Sequence, residues 1–177
     1  MFDFLRNFIG LQIAMTAPED KMSNENPTAE EALALKDAGN QSYKEGDVAG
    51  ALENYTKAIG VCENIQDEKL LAICLKNRAA VFLKEEDFNS VIDDCTRSLE
   101  IVPNDPKALF RRCQAHEALN QVEKAYNDAR EVHRVDPKNP SIEPVLVRLH
   151  KVVSAKVCKY SFVNIFRDTF HLLTLIF

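Results

Sequence analysis

The tightest constraint on this chain is a self-similarity of 34 residues. Aligning Pro103, in "IVPND", with Pro137, in "VDPKN", brings Leu75 onto Leu109 and Ala79 onto Cys113. Upstream, "LKDAGNQSYKEGDVAGALENYTKAI" follows the same grammar. Leu35, Gly39, Ala51, Tyr55 and Ala58 fall where a helix–turn–helix unit needs small or apolar residues. That first copy lies 40 residues before the second, so six residues are inserted around "ENIQDEKL". A fixed period of this length marks stacked supersecondary units. One helix pair cannot cover its own apolar face, so neighbours must stack into a solenoid. The expected units are residues 32–65, 72–105 and 106–139.

The fold class is therefore expected to be all-α: three helix pairs plus a C-terminal capping helix. Gly39, Ala51, Ala58, Ala79, Ala125 and Ala129 let paired helices approach closely. Tyr55, Phe82, Phe88, Leu99 and Phe110 fill the space between units. "KEGD", "KEED" and "LNQ" are the three intra-unit turns. Thr28 with Glu31 makes a capping box at the entrance. Asn139-Pro140 is expected to open the capping helix, with Val145, Leu146, Leu149, Val152 and Val153 as its apolar stripe. Five glycines and no tryptophan argue against a glycine-rich β architecture.

Charge and cysteine content exclude several functions. The net charge is -5, so there is no basic excess to neutralise a nucleic-acid backbone. Cys62, Cys74, Cys95, Cys113 and Cys158 are widely spaced and form no C-x-x-C pair, so no zinc site is expected. They read as reduced, mostly buried thiols of a cytosolic protein. His116, His133, His150 and His171 have no serine or cysteine partner in a catalytic pattern, so no enzyme and no cofactor is expected. His116 is expected to be structural. The acidic pairs Glu85–Glu86 and Asp93–Asp94 read as solvated surface.

The stretch "NDPKALFRR" places three cations, Lys107, Arg111 and Arg112, in the first two turns of a helix. Partial positive charge at a helix N-terminus disfavours a lysine there, so the cations are either incidental surface residues or await an anion. In a solenoid of helix pairs, the first helix of each pair lines the concave face. Lys36 and Asn40 share one face of the first such helix at i,i+4 spacing, Asn77 lies on the second, and Lys107 and Arg111 share a face of the third. Two amides and three cations suit a carboxylate: lysine is a point charge, arginine a fork, and asparagine a neutral donor. A peptide ending in aspartate offers two carboxylates on one residue.

In phase, these units resemble tetratricopeptide repeats over residues 28–157. Ser42 and Val91 depart from the pattern, and Tyr43 is expected to compensate for Ser42. The five polar positions, in "LKDAGN", "KNRAA" and "KALFRR", resemble the carboxylate clamp of tetratricopeptide co-chaperones. That resemblance implies binding of the Glu-Glu-Val-Asp C-terminus of heat-shock protein 90, and of heat-shock protein 70, which shares the ending. It also implies that Arg112 merely flanks the site. Lys44 and Lys84, on the turn side, are secondary candidates for contacts to upstream acids of the peptide.

The run "KALFRRCQAHEAL" and the cap "VLVRLHKVV" are most similar to the N-terminal domain of UCS-type myosin chaperones, the "uncoordinated-forty-five" family. In that family a separate armadillo-like domain holds myosin, and this chain is expected to represent only the recruiting half. The resemblance implies a truncated or alternatively spliced adaptor acting in the cytoplasm in myosin folding. The alternative is a generic scaffold, or a chaperone receptor tethered to a membrane by its tail. Residues 1–27 read as a disordered polar leader following an alternative start upstream of Met15 or Met22. Residues 158–177 form an apolar tail outside the family pattern. Its uninterrupted run, Leu172 to Phe177, is far shorter than the ~20 residues that span a bilayer.

Overall fold

The structure, a computed structural model, describes residues 27–156. Most of the expected leader and tail therefore lies outside the described residues, as does Cys158. Six helices follow in order: α1 Ala29–Glu45, α2 Val48–Ile65, α3 Glu68–Lys84, α4 Phe88–Ile101, α5 Pro106–Ala118 and α6 Val122–Val135. A seventh, α7, runs over 142–156. No strand occurs among the described residues.

Local chemistry sets these boundaries. Thr28, Asp47, Asp67, Asp87 and Asp105 each precede a helix and accept a backbone N–H with the side chain, satisfying donors that the first turn leaves unpaired. Gln121, before α6, makes no such bond. Its Oε1 instead contacts His116 Nδ1 at 3.0 Å. The three intra-unit turns each place one residue in the left-handed region: Gly46, Glu86 and Asn120. These positions are equivalent under the repeat, so one turn geometry recurs with three different residues. The capping helix opens just after Asn139-Pro140, as expected: the Ser141 amide donates to Asn139 Oδ1 at 3.1 Å, and the helix follows this Asx turn from residue 142.

Packing follows the expected pairs, α1 on α2, α3 on α4 and α5 on α6. Between units, the backbones of α1 and α3 and of α3 and α5 approach closely, whereas among the described residues those of α2, α4 and α6 do not, and α2 meets α4 through the Arg97–Glu63 ion pair. The stack therefore curves with the odd-numbered helices inside. Buried alanines and cysteines occupy the closest approaches: Ala51, Ala58, Ala79, Ala125, Ala129, Cys62, Cys74, Cys95 and Cys113. At Gly39, an added Cβ would lie 2.8 Å from the Tyr55 ring, so only glycine lets α2 seat this aromatic on α1. Val91 is fully buried beside Ala79, Cys95 and Ala115. The C-terminal core gathers Leu99, Leu109, Val132, Ile142 and Leu149, with Val145, Leu146 and Val153 packed against it.

Three sequence expectations are corrected. Tyr43 does not fill the gap beside Ser42: it is exposed, with Lys84 Nζ 5.8 Å from its ring centroid. Val152 is exposed rather than part of the α7 stripe, and Ile142 takes the buried place. Asp94 is not solvated but only 4% exposed, because Arg78 grips it with two bonds of 2.8 Å.

Candidate functional site

Each predicted donor lies on an inner helix. Lys36 and Asn40 are on α1, Asn77 on α3, and Lys107 and Arg111 on α5. Two interhelical bonds tie three of them into one groove. Asn77 Nδ2 donates to Asn40 Oδ1 at 3.2 Å, joining α3 to α1. Arg111 Nη1 donates to the carbonyl of Lys76 at 2.8 Å, joining α5 to α3. Lys36 and Lys107 lie one turn before Asn40 and Arg111 on their helices, and Asn77 bonds to Asn40 rather than to either lysine.

Asn40 is oriented by its surroundings. Its Oδ1 also accepts the Tyr55 hydroxyl at 2.7 Å. With Oδ1 committed to two donors, Nδ2 is the group left to donate. Burial of the Tyr55 ring pushes the phenol up to about 12, so this hydroxyl stays a donor throughout the neutral range. Tyr55 can reach Asn40 because Gly39 carries no side chain. Space-filling alone suggested Tyr55 from the sequence; its positioning of Asn40 depends on α2 crossing α1, which periodicity within one helix does not reveal.

The cations differ in how far they are already neutralised. Among the described residues no carboxylate lies within ion-pair distance of Lys107 or Arg111. Lys107 is exposed and Arg111 half-buried. Lys36 pairs with Asp37 at 2.9 Å. Lys76, which the sequence did not single out, is half-buried and pairs with Asp105. Asp105 in turn caps α5, accepting from the amides of Lys107 at 2.9 Å and Ala108 at 3.0 Å. Burial works to raise the Asp105 carboxyl, but Lys76 and the two amides hold it below the usual range. The signal for Lys76 was its place before Asn77 in "KNRAA", equivalent to Lys36 under the repeat.

Arg112 requires correction. It is no mere flanking cation: Nε and Nη2 fork onto Asp128 at 2.9 and 2.7 Å, and Nη1 donates to Thr96 at 3.2 Å. Arg78 does the same one unit earlier, with Asp94 and with Thr56 at 3.0 Å. These arginines follow Asn77 and Arg111 directly in sequence. A step of about 100° on the helix turns them from the groove toward the outer helices. The repetition of Arg and Asp at the same two places in both units was the available signal. Lys44 and Lys84 are exposed and enter no ion pair among the described residues.

Elsewhere the described residues contain no cluster of three metal-ligating side chains. His116 is buried beside the Arg112–Asp128 pair, and that burial holds its imidazole below the ordinary value. The four described cysteines are free and buried, and burial pushes Cys74, Cys95 and Cys113 up to about 12. Thiols so disfavoured as thiolates are poor nucleophiles. No helix among the described residues is long and apolar enough to cross a membrane.

No family model matches the chain. Protein unc-45 homolog B of Danio rerio is 35% identical over 127 residues, 72% of this chain and 14% of that protein. The Arabidopsis OM64 TPR domain is 32% identical with a TM-score of 0.61, covering 69% of this chain and 96% of that domain. The myosin chaperone UNC-45 from C. elegans, solved in complex with an Hsp90 peptide, is 37% identical with a TM-score of 0.67. That match covers 75% of this chain and 15% of UNC-45, and the same chaperone has been solved with an Hsp70 peptide. The chain thus spans about a seventh of the length of the UNC-45 relatives it matches.

Proposed function

We propose, from the premise that this chain belongs to the tetratricopeptide-repeat family, that residues 28–157 form a co-chaperone adaptor gripping a C-terminal carboxylate in the concave groove. Lys36, Asn40, Asn77, Lys107 and Arg111 supply the donors, and Lys44 and Lys84 attract acids further upstream in the peptide. The ligand is the Glu-Glu-Val-Asp end of heat-shock protein 90, with heat-shock protein 70 as a second source of the same ending. Residues 1–27 and 158–177 flank this binding unit. A role in myosin folding belongs to a longer protein carrying a UCS domain, with this unit recruiting the chaperone in the cytoplasm.

The observation that carries this proposal is the pairing pattern of the groove. Asn40 and Asn77 are bonded to each other, while Lys107 and Arg111 have no carboxylate among the described residues. In a chain of net charge -5, cations left without acids next to oriented amides call for an outside anion. The relatives solved with Hsp90 and Hsp70 peptides supply the candidate.

The test is calorimetric titration of the protein with a peptide ending in Glu-Glu-Val-Asp. Amidating its C-terminus should weaken binding sharply. A hydrogen bond to a charged group contributes roughly 1.5–3 kcal/mol, taken at the lower end for an open groove. Lys107→Ala or Arg111→Ala should then lower affinity about tenfold or more. Circular dichroism must show both variants folded. If they bind as tightly as the parent, the clamp assignment is wrong.

A further inference from the structure

One residue of the groove has the wrong charge for the site around it. Asp37 stands at the position that Asn77 and Arg111 occupy in the second and third units. Both of those residues are donors, whereas Asp37 can only accept. Its Oδ1 takes Lys36 Nζ at 2.9 Å and Asn40 Nδ2 at 3.3 Å. Asn40 Nδ2 is the group that Tyr55 and Asn77 leave to donate, and Asp37 accepts from it. A carboxylate of the chain's own thus occupies the two donors that α1 contributes. The Lys36 contact, then the Asn40 amide and the nearby Lys44 charge, hold the Asp37 carboxyl below the usual range, so it is ionised at neutral pH. Its side chain is 62% exposed, so it can swing away without disturbing the core.

Building on the proposed clamp, we propose that Asp37 is an intramolecular competitor, a resident carboxylate that an incoming peptide C-terminus must displace from Lys36 and Asn40. It makes the α1 half of the groove weaker than its donor count implies. A ligand with a single carboxylate gains the unoccupied α5 cations but must contend with Asp37 for the rest. A terminal aspartate, with two carboxylates, can engage α5 with one and displace Asp37 with the other. Asp37 therefore biases the site toward C-termini that end in an acidic residue.

The test uses the full chain and two peptides, one ending in Glu-Glu-Val-Asp and one ending in Glu-Glu-Val-Ala. Asp37→Asn keeps the shape and removes the charge. It should tighten both peptides by about two- to fivefold, the range that an exposed ion pair supplies, with the larger gain for the alanine-ended peptide. Placed in a Lys36→Ala background, Asp37→Asn should lose most of that gain. Unchanged or weakened binding of Asp37→Asn would overturn the proposal, the latter by making Asp37 a ligand contact. A gain that persists in full without Lys36 would also overturn it, since the charge would then act at a distance rather than by occupying a donor. Failure of the parent to bind either peptide is a separate result, which removes the clamp itself.

Discussion

Arg111 and Arg112 are adjacent in sequence and opposite in use. Arg111 faces the groove from α5, braced by the Lys76 carbonyl, while Arg112 holds Asp128, which is only 7% exposed. Removing one partner of a buried pair leaves an uncompensated charge and costs roughly 3–5 kcal/mol, less here because Arg112 keeps some solvent contact. Arg112→Ala should therefore lower stability by about 2–3 kcal/mol in chemical denaturation. The double change Arg112→Ala with Asp128→Ala should recover part of that loss, and peptide affinity of the folded Arg112→Ala fraction should stay near the parent's. That Lys36, Asn40, Asn77, Lys107 and Arg111 lie on the inner helices was legible in the sequence, because helical periodicity fixes which residues share a face. The partner of Arg112 was not, because Asp128 lies beyond a turn and on another helix. Asp94 was misjudged for the same reason: a charge in "DD" looks solvated until the helix that buries it is in place.

Among the elements, the α1–α2 pair shows how a core contact sets the geometry of the proposed clamp. Gly39 admits the Tyr55 ring, and Tyr55 turns Asn40. Gly39→Ala forces a shift of that ring, at a cost of roughly 1–3 kcal/mol, against a helix-propensity gain of about 1 kcal/mol. Net destabilisation is expected in thermal melts, together with weaker peptide binding. Tyr55→Phe separates the two effects. It keeps the packing and deletes the hydroxyl, so affinity should fall while stability drops by only about 0.5–1.5 kcal/mol. The α3–α5 junction is where pH acts. Asp105 has a folded pKa below its unfolded value, so its stabilisation is fully present above the unfolded carboxylate range near ~3.9 and is lost as pH falls through the lower folded value. His116, whose folded pKa is lowered by burial, adds a second acid-side loss that starts near ~6.5 and continues through its lower folded value. Replacing His116 by Phe, the residue at the equivalent place in the second unit (Phe82), should remove the fall in melting temperature between pH 7.5 and pH 5.5. An unchanged fall would assign that loss to other groups.

Across the whole molecule, the Arg–Asp–Thr arrangement occurs in the second and third units but not in the first. There the equivalent positions hold Ala38 and Asn54. In a stack of units held by neighbour contacts, stability is roughly a sum over units and junctions. The first unit therefore lacks one pair of forked bonds that the others have, and among the described residues it has one neighbour instead of two. Opening is expected to begin there. Amides of α1 and α2 should exchange with deuterium faster than those of α3 to α6, with partial openings well below the cost of global unfolding. Because α1 carries Lys36 and Asn40, a bound peptide that bridges α1 and α5 would slow exchange most in a helix of the unit that lacks the forked Arg–Asp bonds. The binding site would then double as the fastener of the loosest unit, and residence time on the peptide would be governed by how often α1 lets go.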